Sequence, residues 1–330
     1  MSAAGLVEVV VHSLTSDGDR VLLVDLRPVD TGAVGTDAKL PPFEAGAHLD
    51  LHLDSPSGSV VRQYSLIGPD DDTSRYLIAV LRERDGRGGS AAVHGLAVGT
   101  RLAVSPPRNS FRLDPGAGHS VLLAGGIGVT PVVAMAERLH RQGASFELHV
   151  YSATPQTLPL ARHLEGRPWR DRVVLHYSSA GDGFRGNAQS VIPRHTPGRA
   201  LYVCGPLGMI ASATACASAR EWPRSAVHTE QFARSQAVET AGEEFTVVVA
   251  STGRELAVGP EETIAAVLRR HGIETTLACE QGLCGSCLTP VLAGIPDHRD
   301  EVQSPAERET NTLINVCCSR SLSPSLTLGI

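Results

Sequence analysis

Lysine is almost missing from this chain: of its 29 basic residues only Lys39 is a lysine, a skew that reads as genome composition and not as function. Long apolar runs are missing too. None reaches the roughly 18–20 residues needed to cross a bilayer, so a membrane span is excluded and a soluble chain is expected. The opening MSAAGLVEVV has neither the basic head nor the long apolar core of a secretory signal, which points to the cytoplasm. In that compartment clustered cysteines serve metals more often than disulfides. Aromatic residues are scarce at 4%, and there is no short-period repeat or long low-complexity tract, so divisions along the chain must be sought in changes of hydrophobic pattern. Net charge is lacking over most of the length. Before Gly242 there are 23 acidic and 23 basic residues; from Gly242 onward there are 12 and 6, so the whole formal charge of −6 lies at that end. Nucleic acid is a poor partner for such a surface, and a basic protein face suits it.

What is present falls into three patterns, in keeping with the two or three domains that 330 residues suggest. Residues 1–114 carry short β-rich runs (VEVVVHSL, VLLVDLR, HLDLHLD, VVRQYSLI, RYLIAVLRE, TRLAVSPP) separated by Gly, Pro and Asp, which predicts a small antiparallel barrel or sandwich. Residues 115–234 alternate unbroken apolar strands (SVLLAGG, FELHVYSA, RVVLHYS, ALYVCGP) with helices, the signature of a parallel sheet covered on both faces. The stretch ARSQAVETAGEE reads as a linker, centred on residues 235–242. Residues 243–330 then form a small α+β module with a helix in EETIAAVLRRHG, ended by Gly272.

Three of the seven cysteines crowd into CEQGLCGSC. The spacing is Cys279-x4-Cys284-x2-Cys287, with Cys317 and Cys318 some 30 residues on. This is the plant-type 2Fe-2S spacing. Two ferric ions need four thiolates, and a loop wrapped that tightly turns its N–H groups toward sulfur, which Gly282 and Gly285 permit by adopting positive φ. A structural zinc would call for a second CxxC-like pair, and none is present. Spacing alone leaves the fourth ligand open between Cys317 and Cys318.

In VLLAGGIGVTP a buried strand runs through Gly125, Gly126 and Gly128 into a helix, with Thr130 expected as N-cap and Pro131 at the first helical position. Such a turn can seat a pyrophosphate. The acidic residue of a full dinucleotide fingerprint is absent: Glu147 has the right separation but lies mid-strand. No arginine occurs between Ala153 and Ala161 to grip a 2′-phosphate, which favours NADH over NADPH. Cys204-Gly205-Pro206 ends a strand where open α/β sheets bind ligands, and reads equally as a buried small residue before a turn. In VVRQYSLIG, Arg62 and Tyr64 share one strand face beside Ser65, suiting a flavin phosphate and ring, or simply facing solvent. Gly88, Gly89 and Ser90 offer a second phosphate seat at a short helix start.

Taken together, RQYS, GRGGS, SPPRNSF, AGGIGVTP, YVCGP, HTEQF, CEQGLCGSC and CCSR resemble, over nearly the whole chain, the phthalate dioxygenase reductase type of oxygenase reductases, which are related to ferredoxin-NADP reductases. The resemblance implies an antiparallel FMN-binding β-barrel, an α/β NAD-binding domain and a β-grasp ferredoxin domain. Carried over by motif, Arg62, Tyr64, Ser65, Gly88, Gly89 and Ser90 would bind FMN, with backbone from Val80 through Leu81 to Arg82 along the flavin. Gly126, Thr130, Cys204, Gly205 and Pro206 would border the nicotinamide path, Phe232 would cover the flavin ring, and Cys317 would join Cys279, Cys284 and Cys287 on iron. The family often reads like YSARS after its second nucleotide strand where this chain has YSATPQ, so the adenosine contacts are its own. The implied activity is NADH-dependent electron transfer to a separate terminal oxygenase, by a monomer that docks through its acidic end. A reductase serving a haem monooxygenase, or an iron-sulfur redox sensor, would carry the same motifs.

Overall fold

The computed structural model describes residues 5–18, 20–29, 39–55, 58–84, 86, 88–232 and 241–330; most of the expected linker lies outside them. The chain forms two compact units, Met1–Phe232 and Ala233–Ile330.

The first unit begins with β1 (Val7–Asp17), β2 (Val21–Pro28), β3 (His48–Ser55), β4 (Gly58–Ile67), β5 (Tyr76–Leu81), the short helix α1 (Gly89–His94) and β6 (Arg101–Val104). These strands close into an antiparallel barrel in the order β1-β2-β5-β4-β3-β6, with β6 returning to pair with β1. The sequence left barrel and sandwich open; closure decides for the barrel and removes its free edges. Alternate residues point inward, so Leu49, Leu51 and Leu53 of β3 meet Tyr76, Ile78 and Val80 of β5 in one core. Each such side chain contributes about 1.5–3 kcal/mol by leaving water.

The segment SPPRNSF fastens this barrel. The Ser105 hydroxyl accepts the Asp50 N–H (2.9 Å), Arg108 donates to the buried Asp50 carboxylate (2.5 Å), and the Asn109 side-chain amide donates to the Ala45 carbonyl (3.0 Å). Phe111 then stands edge-on to Tyr202 (5.9 Å between ring centres), inside the following sheet.

That sheet contains β7 (His119–Gly125), α2 (Val129–Arg141), β8 (Ser145–Ser152), α3 (Ala161–Glu165), β9 (Val173–Tyr177), α4 (Phe184–Val191), β10 (Arg199–Cys204), α5 (Leu207–Ala219) and β11 (Val227–Glu230). All five strands are parallel, in the order β11-β10-β7-β8-β9. Alternate faces of β7 explain its unbroken hydrophobicity: Leu122 and Ala124 pack with α2, and Val121 and Leu123 with α5. Val21, Ala45, Ile67 and Ala79 of the barrel join the α2 side, so barrel and sheet share a core.

One expected detail is corrected. α2 starts at Val129 with Gly128 before it and no side-chain cap; Thr130 lies inside the helix and its hydroxyl donates back to the Ile127 carbonyl (3.0 Å). A turn of 3-10 helix, opened by Gly126 at φ 53°, brings the helix forward, and Pro131 still falls within the first turn, where no N–H is needed.

The second unit holds β12 (Phe245–Val249), β13 (Arg254–Val258), α6 (Ile264–Arg270), β14 (Leu288–Ala293), β15 (Pro296–Asp297), α7 (Pro305–Glu309), β16 (Leu313–Asn315), β17 (Arg320–Ser321) and β18 (Ser325–Leu328). The main sheet runs β13-β12-β18-β14-β16, with β12 and β18 parallel, and β15 pairs with β17. Arg320 is buried here. Its guanidinium donates to the carbonyls of Glu262 (2.6 Å), Glu243 (2.8 Å) and Gly259 (3.0 Å) and lies over the Phe245 ring (5.1 Å), tying two segments to the strand that follows the last cysteines. Among the described residues no helix is long and apolar enough to cross a membrane.

Candidate functional site

In the second unit the cysteine loop, residues 279–287, is neither helix nor strand. Gly282 and Gly285 adopt φ of 71° and 69°, which folds the loop back on its own sulfurs. The N–H groups of Gln281 and Leu283 point at Cys279 Sγ (3.3 and 3.4 Å), and that of Ser286 at Cys284 Sγ (3.5 Å). The thiol of Cys317 is in hydrogen-bonding contact with those of Cys279, Cys287 and Cys318, and that of Cys284 with Cys279. The Cys279 contact raises the Cys284 thiol well above its ordinary range, and burial adds to the shift. Contacts that run from Cys284 to Cys279 to Cys317 to Cys287, with N–H donors aimed at Cys279 and Cys284, give the thiolate donor set that a di-iron cluster calls for. Cys318 lies against the loop as well: besides the Cys317 contact its Sγ faces the Asn315 carbonyl (3.8 Å), and a Cβ on Gly282 would come within 2.6 Å of it.

In the first unit a pocket opens on the barrel wall. Arg62, Tyr64 and Ser65 of β4, Val80 and Leu81 of β5, and Gly89 and Ser90 of α1 line it, with Thr130 and Phe232 arriving from the sheet. Gly88 stands at its margin as the left-handed residue before α1 (φ 80°), and the Arg82 N–H is held by the Arg20 carbonyl (2.7 Å). Arg62 lies flat on Gly89, where a Cβ would fall 2.4 Å from its side chain. Burial pushes the Tyr64 phenol far above its usual range, so it stays neutral against a ring. Phe232 is 46% exposed.

Next to it runs a cleft of about 550 Å³ at the C-terminal ends of the parallel strands. The chain leaves β7 in one direction to β8 and β9 and in the other to β10 and β11, and ligands of open α/β sheets sit at such a reversal. Gly126, Tyr151, Ser152, Phe184 and Pro206 line the cleft. Cys204 and Gly205 stand behind it: a Cβ on Gly128 would lie 2.3 Å from the Cys204 carbonyl oxygen, so the turn and the strand end are in backbone contact. Glu147 does not reach the cleft. It faces His119 and His149 (3.4 Å each), the first of a line that continues from His149 to His176 (2.9 Å) and from His176 to Asp182 (2.6 Å), behind Tyr151.

Two residues at this site were missed. Glu230 sits beside Cys204 in register, with its carboxyl pushed up to about 8 by burial. The HTEQF segment held it in plain view, but nothing in a strand pattern reveals that its partner strand ends in a buried thiol. Arg20, from the turn between β1 and β2, lines the cleft as well.

Residues 247–322 match the family described as 2Fe-2S iron-sulfur cluster binding domain. A vanillate O-demethylase oxidoreductase from Pseudomonas sp. (strain HR199 / DSM 7063) is 36% identical over 326 residues, covering 98% of this chain and 100% of that one. The solved structure of phthalate dioxygenase reductase, described as a modular structure for electron transfer from pyridine nucleotides to 2Fe-2S, superposes with a TM-score of 0.73 at 32% identity, over 99% of this chain and 98% of that one. An intact type IV self-sufficient cytochrome P450 monooxygenase gives a TM-score of 0.83 at 34% identity over 98% of this chain, which spans 41% of the length of that one.

Proposed function

This chain belongs to the phthalate dioxygenase reductase type of oxygenase reductases, and from that premise we propose that it carries electrons from NADH through FMN and a 2Fe-2S cluster to a separate terminal oxygenase. The observation that carries the reading is the pocket that gathers Arg62, Tyr64, Ser65, Gly89, Ser90, Thr130 and Phe232 beside a glycine-turn cleft. When bound, the flavin links a two-electron hydride donor to a one-electron cluster.

The chain's own part is to hold and shield. Arg62 would hold the flavin phosphate, Tyr64 and Ser65 would bear on the ring system, and Phe232 would shield the ring from water. Gly126 and the strand end at Cys204, Gly205 and Pro206 guide the nicotinamide. Cys279, Cys284, Cys287 and Cys317 would hold the irons, and the loop N–H groups aimed at Cys279 and Cys284 would stabilise negative charge on those sulfurs. No side chain need move a proton between substrates. The acceptor docks a basic face against the acidic second unit, and the protein works as a cytoplasmic monomer.

A second reading has its own support: the high TM-score to a P450 monooxygenase favours a haem enzyme as acceptor. Anaerobic titration with NADH tests the core of the proposal. Bleaching of both flavin and cluster bands, followed by the paramagnetic signal of a mixed-valence di-iron centre, is expected. A protein whose bands stay unchanged is a sensor or a binding subunit instead. Product assays with a non-haem oxygenase and with a P450 then separate the two acceptors.

A further inference from the structure

The loop after β8 carries no arginine from Ala153 to Ala161, yet the cleft it borders does hold a cation. Arg20 enters from the barrel, some 130 residues away in sequence. The turn that carries it is fastened to the loop: the Asp17 carboxylate accepts the N–H of Leu160, and a Cβ on Gly18 would lie 3.7 Å from the Gln156 carbonyl oxygen. Arg20 Nη2 donates to the Arg82 carbonyl (2.9 Å) and the Arg82 N–H returns a bond to the Arg20 carbonyl (2.7 Å), so the guanidinium is anchored at both its root and one nitrogen. Arg20 lines the same cleft as Gly126 and Ile127. Among the described residues lining the cleft the acidic one is Asp17, and it is already engaged by Leu160. Among the described residues lining the cleft, Arg20 is the only cation.

Resting on the reading of this cleft as the pyridine-nucleotide site, we propose that Arg20 binds the pyrophosphate of NADH. A pyrophosphate sits where a glycine turn opens a helix, here at Gly126 to Gly128, and Arg20 and Gly126 line one cleft. A planar guanidinium suits two phosphate oxygens at once. A 2′-phosphate would lie further out, at the loop after β8, where no cation waits. The barrel thus supplies the charge that the nucleotide-binding sheet lacks, and the same residue touches the backbone of the flavin strand through Arg82.

The test is equilibrium binding of ADP-ribose, which has the pyrophosphate and no nicotinamide, and of adenosine, which has neither, to wild type, Arg20→Gln and Arg20→Lys, with flavin content measured in each. Arg20→Gln is expected to weaken ADP-ribose about 10- to 100-fold, the loss of a charge-assisted hydrogen-bonded pair. Adenosine binding should hold, Arg20→Lys should recover part of the loss, and the effect on NADH oxidation should fall on KM and not on kcat. Unchanged ADP-ribose affinity overturns the proposal, as does a parallel loss of adenosine binding in a flavin-replete variant. Wild type that binds ADP-ribose but does not oxidise NADH sinks the electron-transfer reading, and the Arg20 result is still read from binding alone.

Discussion

Single atoms decide much at these sites. A methyl group on Gly128 would lie 2.3 Å from the Cys204 oxygen and 2.7 Å from the Gly205 nitrogen, all of it backbone that cannot swing aside. Gly128→Ala is therefore expected to cost about 1–3 kcal/mol by overpacking, read in a denaturant melt, and to abolish flavin reduction by NADH while the cluster band remains. A variant that reduces flavin at the wild-type rate would show that the turn has room. The neighbouring cysteines offer a sharper contrast. Cys317 touches the thiols of both Cys279 and Cys287, whereas the Cys318 thiol meets Cys317 and the Asn315 carbonyl, so Cys317→Ser should lose the visible cluster spectrum and Cys318→Ser should keep it. The reverse outcome would exchange their roles.

At the scale of elements, β3, β4 and the segment after β6 are joined by a buried polar network: His48 meets the Gln63 amide (3.3 Å), Gln63 donates to Asp50 (3.0 Å), and Arg108 closes the set. Burial, then the charge of Arg108, lowers the His48 pKa from 6.5 to about 4, with Asp50 working the other way, and burial does the same for His163. Folded, these rings stay neutral while the unfolded chain takes up protons near pH 6.5, so stability is full above that pH and is lost as pH falls toward 4. The His48 share is roughly 3 kcal/mol at about 1.4 kcal/mol per pH unit. Urea midpoints between pH 7.5 and 4.5 measure it, and His48→Gln should flatten the profile; an unchanged slope would show that His48 is not the sensor.

The same network marks the limit of what a linear pattern tells. Period-two runs such as HLDLHLD announce their strands because one face must be apolar, and the cysteine spacing announces its loop because iron dictates it. Closure of the barrel is not in the strand pattern, since sandwich and barrel strands alternate alike; the motif resemblance alone implied it, and the closed sheet bears it out. The short β15, β17 and α7 carry too few residues to show a period. Arg20 was hidden for a different reason: its importance lies in a contact between a hairpin and residues 156–160, and only the tertiary fold brings those together.

On the scale of the whole molecule, charge is divided as the chain is. The first unit contains the balanced part of the sequence and the second the acidic excess. If that excess guides the electron acceptor, raising ionic strength from about 20 to 300 mM should slow transfer to the true partner severalfold, since screening shortens as salt rises. NADH-driven reduction of a small neutral acceptor should barely respond. Equal salt sensitivity of the two reactions would remove electrostatics from partner choice.

The order of strands in the second unit also governs how it can be made. β18, the latest segment in the numbering, lies between β12 and β14 in the middle of the sheet. On the ribosome the thiol-bearing loop emerges well before that central strand, so for a time it has no finished shelter. Iron delivery must therefore wait until β18 has emerged, or meet a nascent chain whose sulfurs are still open to air.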